Sequence, residues 1–360
     1  MSAQPLALVA TGMVTAVGDD APSSCAAMRV RFNNHRATDF HDQDWEPIVA
    51  SRAAVDAQLF GEGRVLEMAA RAVRELRSRI DPALLAGAGW VICMPEPDRP
   101  GRPDDDAGFT RRLAQRLEMP VPALCMSLPL GRAAGLVALS IAQHWLDEKG
   151  LSHVLLVASD SLVDGEALAE FDAEEQLFTP ANPHGFIPGE AAVALLVGKA
   201  APEAPGARMI VYPPAMTVTD PQAIPAASRP DAPHPKPLPI DGQELAAAIE
   251  LACAQAQCAP ADVALRIADA NGTDAGFKEQ ALAEARAFAP TEGGGNAPLP
   301  PLWLPAESLG EVGAAYGLAA IVWAWHAAHE GYAPGPTALV HATNAEGLRA
   351  AVVLRFNRPT

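Results

Sequence analysis

Four short runs in which every residue is apolar restrict the fold of this chain more than any other feature. They are Leu6-Ala7-Leu8-Val9-Ala10, Trp90-Val91-Ile92-Cys93-Met94, Val154-Leu155-Leu156-Val157-Ala158, and the stretch from Ala191 to Val197. A strand with one wetted face alternates apolar and polar residues, so a run without alternation belongs to a sheet covered on both sides. Helical patterns separate the runs. Ala21 to Val30 reads as a helix entered through Pro22, and Arg64 to Arg79 repeats Val65, Met68, Ala69, Ala72, Val73 and Leu76 at helical spacing. Leu113 with Leu117 marks a short helix, Ala123 to Met126 a strand, and Ala133 to Leu146 a long apolar helix. Strands alternating with helices imply an α/β architecture.

The C-terminal part repeats this rhythm. Helix Glu244 to Ala256, strand Val263 to Ile267, helices Phe277 to Phe288 and Val312 to Ala328, and a last strand Ala350 to Phe356 follow in order. Between the two parts, residues 201–239 hold 11 prolines and read as an irregular connector with one strand at Met209 to Tyr212. The expected division is 1–200, a connector 201–240, and 241–360.

Composition narrows the function. A formal charge of -17 opposes binding to nucleic acid or to an anionic membrane, both of which need a basic footprint. The apolar runs are too short to span a bilayer, and the N-terminus lacks the basic-then-apolar order of a signal peptide, so a cytoplasmic protein is expected. Cys25, Cys93, Cys125, Cys253 and Cys258 lack metal-ligand spacing and read as packing thiols in a reducing compartment, with Cys253 and Cys258 on one helix. His326 and His329 share a Trp-rich helix without a third zinc partner. Gly-x-Gly-x-x-Gly and phosphate-loop patterns are absent, and Gly293-Gly294-Gly295 reads as a flexible turn. No cofactor or metal is expected.

Five motifs in order resemble the β-ketoacyl-acyl-carrier-protein synthases, condensing enzymes of the thiolase fold. They are Val9-Ala10-Thr11-Gly12-Met13, with Thr11 to Met13 opening a turn after the first strand; Gly185-Phe186-Ile187-Pro188-Gly189-Glu190, preceded by Ala158-Ser159-Asp160-Ser161; Ala268-Asp269-Ala270-Asn271-Gly272-Thr273; Ser308-Leu309-Gly310-Glu311-Val312-Gly313; and Gly347 to Leu354. The resemblance implies a five-layer α-β-α-β-α fold built from two similar halves, and a dimer. It also places three chemical positions. Gly131-Arg132-Ala133-Ala134-Gly135 is similar to the helix start that bears the nucleophilic cysteine, with Arg132 at the cysteine's place. Asn271 and Glu311 stand where the family's two histidines, or histidine and asparagine, stabilise the thioester oxygen.

A guanidinium stays protonated and cannot be acylated. Asn271 can still donate a hydrogen bond, but an ionised Glu311 cannot, and it would oppose a developing enolate. Ketoacyl synthesis by the family's route is therefore not expected. A cation at a helix N-terminus meets the positive end of the dipole, so Arg132 needs compensation, and an ion pair with Glu311 is the expected source. Cys125, Ser127, Ser159, Ser161, His184 and His341 offer no evident replacement nucleophile or base, and are read as packing, structural or surface residues.

Three functions remain, of which one, a sensor that binds an acyl-carrier protein or acyl chain without turnover, is opposed by the acidic surface because carrier proteins are themselves acidic. Of the other two, the first is a catalytically inactive condensing-enzyme homologue acting as a binding or assembly protein. Gly12 to Gly18, Ala21 to Ala27 and the loop at 95–101 are similar to thiolase-like accessory proteins of bacterial type VI secretion loci, which implies an effector or spike component as partner. The second is an acyl-thioester enzyme, a decarboxylase or acyltransferase, working without a cysteine.

Overall fold

The first apolar run opens β1 (Leu6–Thr15), and the computed structural model carries this strand through Gly12 instead of turning after Ala10. A Cβ on Gly12 would stand 2.0 Å from the Ala72 carbonyl oxygen. The glycine therefore marks a close approach of helix to strand, which the sequence pattern alone reads as a turn. Residues 4–200, 208–219, 240–289 and 298–357 are described.

From β1 the chain runs through α1 (Ala21–Arg29), a hairpin of β2 (His35–His41) and β3 (Pro47–Ser51), α2 (Gly61–Arg77), α3 (Ala83–Ala86) and β4 (Gly89–Met94). It continues through α4 (Asp106–Arg116), β5 (Cys125–Pro129), α5 (Ala134–Glu148), β6 (His153–Ser161), α6 (Gly165–Ala173) and β7 (Glu190–Lys199). The second part holds β8 (Arg208–Val211), β9 (Ala215–Val218), α7 (Gln243–Gln255), β10 (Leu265–Ile267), α8 (Asp274–Ala287) and β11 (Leu302–Trp303). It ends with α9 (Ala306–Leu309), α10 (Tyr316–His329), β12 (Thr337–Thr343) and β13 (Leu348–Asn357).

Strand pairing reveals the repeat that the residues do not. In the first part the order in space is β1-β7-β6-β4-β5, with β1 and β6 antiparallel to β7, and β4 parallel to both β6 and β5. In the second part β8 and β9 lie on one side of β13, and the order continues β13-β12-β10-β11 with the same senses. Each part thus places its first strand beside its last. β8 and β9 together play the part of β1, and Pro213 and Pro214, which lack an N–H for the ladder, fall in the break between them. β8 also pairs with β1, joining eleven of the thirteen described strands into one surface.

Helices cover that surface in layers. Outside the first part, α2 sets Ala69, Val73 and Leu76 against Leu155, Val157 and Leu196. At the centre, α5 and α10 bury Leu136, Leu139, Leu318 and Ile321 between Val193 and Leu195 of β7 and Val340 and Val352 of the second part. Outside the second part, α7 and α8 bury Ile249 and Ala283 against Leu339 and Val353. The result is the α-β-α-β-α order that the resemblance implies. No helix among the described residues is long and apolar enough to cross a membrane.

Two elements escape the sequence pattern. β12 is buried throughout, yet its Thr337, His341 and Thr343 break the apolar signature. The β2–β3 hairpin stands apart from the main sheet, with β2 largely wetted and β3 burying Ile48, Ala50 and Ser51. In addition, Cys258 lies beyond the end of α7, not on the same helix as Cys253. Gly293 to Gly295 lie outside the described residues.

Candidate functional site at the central helix ends

Two central helices begin in the same way. A 3-10 turn, Gly131–Ala133, feeds α5, and another, Gly313–Ala315, feeds α10. Gly131 has φ +54° and Gly313 φ +50°, a left-handed conformation that side chains resist. The residues around them match too: Leu130 and Val312 have φ −121° and −115°, and Ala133 and Ala315 both have φ −77°. Carboxylates press on both glycines. A Cβ on Gly131 would meet Glu96 Oε1 at 1.9 Å, and one on Gly313 would meet Asp160 Oδ2 at 2.1 Å.

Arg132 occupies the middle of the first turn, and the second turn has Ala314 at the corresponding place. The guanidinium is compensated as the dipole argument requires. Its Nη1 donates to Glu311 Oε2 at 3.2 Å, and its Nε lies 3.6 Å from Asp269 Oδ2. Glu311 is saturated by further donors. Asn271 Nδ2 donates to the same Oε2, and the Gly313 N–H donates to Oε1 at 2.8 Å. Asp269 is fixed from the other side, accepting from the Thr343 N–H at 2.7 Å and its hydroxyl at 2.8 Å. Asn271 Oδ1 accepts from the Thr273 hydroxyl at 3.0 Å. The side chain of Arg132 keeps 25% exposure, while those of Glu311 and Asp269 keep 8% each.

Electrostatics agree with the geometry. Burial alone would weaken the hold of Arg132 on its proton, but Glu311, Asp269 and Glu96 outweigh it and raise the guanidinium further. Burial also raises the Glu96 carboxyl, with Asp160 adding to the effect and Arg132 and Arg99 opposing it. Arg99 forms an ion pair with Asp160, whose Oδ2 accepts from the Ala314 N–H at 2.9 Å. Behind Asp269 lies His341, wholly buried, with Nδ1 4.0 Å from Asp269 Oδ1; burial lowers its pKa. The Tyr316 hydroxyl donates to the His341 carbonyl at 2.9 Å, and burial raises that phenol well above its ordinary value.

Arg132, Asn271 and Glu311, far apart in the chain, are thus brought into one hydrogen-bonded group. The other nucleophile and base candidates are engaged elsewhere. The Ser159 hydroxyl donates to the Val65 carbonyl at 2.8 Å, and that of Ser161 to Glu190 at 2.9 Å. Cys125 and Ser127 lie in β5, where burial raises the Cys125 thiol. His184 sits on the surface, 3.1 Å from Asp274. Asp269, paired with Arg132, and Glu96, which acts on Arg132 through its charge, do not stand out in the sequence. Asp269 is two residues before Asn271 and shares its strand-end loop, and Glu96 lies between two prolines just past β4. Among the described residues, no group of three or more His, Cys, Asp or Glu side chains is arranged to hold a metal ion.

Solved structures share this arrangement of strands and helices. An oxazolomycin ketosynthase domain of Streptomyces albus is similar with a TM-score of 0.76 and 15% identity, over 99% of this chain and 75% of that one. The ishigamide ketosynthase/chain length factor gives 0.75 and 16%, over 98% and 99%. A ketosynthase in complex with its chain length factor from Xenorhabdus doucetiae gives 0.71 and 15%, over 98% of each chain. The fold is that of the thiolase-like ketosynthases. No protein-family sequence model matches the chain, and no curated protein matches it in sequence. In this ketosynthase-like frame, the central helix ends carry a guanidinium enclosed by carboxylates.

Proposed function

We propose that this chain is a catalytically inactive condensing-enzyme homologue that works as a binding or assembly protein. One observation carries the reading: the Glu311 carboxylate takes the donors of Arg132, Asn271 and Gly313 at once. A thioester oxygen would need those donors for itself, and losing a single oxyanion donor costs about 3–4 kcal/mol of barrier. An oxyanion forming about 4 Å from a carboxylate adds a repulsion of roughly 4 kcal/mol at an effective dielectric near 20. Neither cost includes the missing nucleophile.

The same reading makes the partner a protein. Solved neighbours of this fold include a ketosynthase with its chain length factor, and an acyl-carrier protein in complex with its ketosynthase. The N-terminal motifs and the 95–101 loop resemble type VI secretion accessory proteins, and on that basis the partner is an effector or spike component, met in the cytoplasm by a homodimer of this chain.

The test is direct. The purified protein is incubated with acyl-coenzyme A, and separately with acyl- and malonyl-loaded carrier protein, then read by intact mass and product chromatography. No covalent adduct and no β-ketoacyl product are expected; acylation of any residue, or turnover, ends the proposal. Tagged chain drawn from secretion-competent cells should then retain an effector or spike protein, and capture of carrier protein alone would overturn that choice of partner.

A further inference from the structure

The C-terminus of α7 brings two thiols together by a backbone rule. α7 ends at Gln255, and Gln257 turns into the left-handed region at φ +53°. The Gln257 N–H donates to the Ala254 carbonyl at 3.1 Å, and the Cys258 N–H donates to the Cys253 carbonyl at 3.0 Å. These are the two hydrogen bonds of a Schellman ending, in which the side chains of the bonded outer pair commonly meet. The same ending closes α1, α4 and α6, where the outer pairs are Ala27 with Phe32, Ala114 with Met119, and Phe171 with Gln176. At α7 alone among these four, both residues are cysteine.

The backbone hydrogen bond of 3.0 Å from Cys258 to Cys253 holds the two residues side by side, and neither thiol is in a disulfide. A disulfide tolerates Cα separations up to about 7 Å, and a backbone hydrogen bond between the two residues themselves keeps them close. Their environments differ. Cys253 is buried against Ile249, Leu339 and Val353, whereas Cys258 is half-exposed at the rim of that cluster. Burial pushes the Cys253 thiol up to about 12. It raises Cys258 as well, but there Arg355 pulls in the opposite direction.

We propose that Cys253 and Cys258 form a reversible intramolecular disulfide, which makes the end of α7 a redox modification site for low-molecular-weight disulfides such as oxidised glutathione. Cys258, the accessible thiol beside a cation, loses its proton and attacks one sulfur of the small disulfide. That S–S bond breaks, a mixed disulfide forms on Cys258, and the departing thiolate takes up a proton. Cys253 then attacks the Cys258 sulfur, releases its own proton to the second departing thiolate, and closes the ring. Two electrons pass to the reagent, two small thiols leave, and the protein loses two hydrogen atoms. Excess reduced thiol reverses both steps.

The experiment uses the full chain treated with oxidised glutathione, followed by acid quenching and peptide mapping without reduction. The native protein should lose the mass of two hydrogens and yield a peptide cross-linked between positions 253 and 258, with Cys25 and Cys93, both buried, unmodified. Cys253→Ser should instead accumulate glutathione on Cys258, and Cys258→Ser should stay unmodified at Cys253. Dithiothreitol should restore the starting mass. A stable glutathione adduct on native Cys258, or no reaction at Cys258 in either the native chain or Cys253→Ser, overturns the proposal.

Discussion

Arg132→Met, Glu311→Gln and the double variant form a cycle that isolates the pairing at the centre of the molecule. Methionine keeps the length of the arginine stem without charge, and glutamine keeps the shape of Glu311 and one acceptor. Two unit charges about 4 Å apart attract by roughly 4 kcal/mol at an effective dielectric near 20. Holding both out of water offsets much of this, and Asp269, 3.6 Å from Arg132 Nε, remains a second partner. A net coupling of about 1–3 kcal/mol follows. Removing the arginine alone strands Glu311 and Asp269, each 8% exposed, without a cation, at a cost of about 3–5 kcal/mol. Glu311→Gln alone should cost about 1–3 kcal/mol, because Arg132 retains Asp269 and the Gly313 N–H retains an acceptor. The double variant should therefore be less damaged than the sum of the singles. Urea unfolding followed by tryptophan fluorescence and circular dichroism, with m-values checked for constancy, measures all four corners. Single costs that add to within about 0.5 kcal/mol would refute the claim that the two side chains act as a unit.

Three further outcomes are expected. Gly313→Ala forces a Cβ into φ +50° and to 2.1 Å from Asp160 Oδ2, so it should cost at least about 2 kcal/mol; an unchanged melting temperature would show that the second turn is not held by that contact. His341 is buried with a lowered pKa, so the unfolded chain binds its proton first. Its contribution to stability is complete above the ordinary value of 6.5 and is lost as pH falls through the lowered one. His341→Leu should therefore lose stability less steeply than the native chain between about pH 7 and 5, and identical slopes would contradict this. Arg132→Cys should give a thiol that iodoacetamide can reach but no β-ketoacyl product, since Glu311 still holds the donors of Asn271 and Gly313; measurable turnover would show that those donors are free.

Much of this fold is legible in the residues because burial writes itself into composition. Trp90 to Met94 and Val154 to Ala158 are apolar on both faces because helices cover both, and each becomes the core of a strand. The pairing of Arg132 with Glu311 is legible as well, since a cation at a buried helix start needs an anion and the motif order brings Glu311 within reach. What stays hidden is polar and local. β12 carries His341 and Thr343 on the side where Asp269 accepts hydrogen bonds, so its burial leaves no continuous apolar run. Asp269 and Glu96 act on Arg132 through loop geometry that no periodicity records. The internal repeat lies in strand order and direction, which constrain backbone pairing and leave the identity of most side chains free.

The two turns that start α5 and α10 follow nearly the same backbone path, one with a guanidinium at its middle and the other with a single methyl group. The molecule thus contains its own control experiment. The same turn forms around a guanidinium in one helix start and a methyl group in the other, so its backbone path is set by the glycine before it and not by the side chain at its middle.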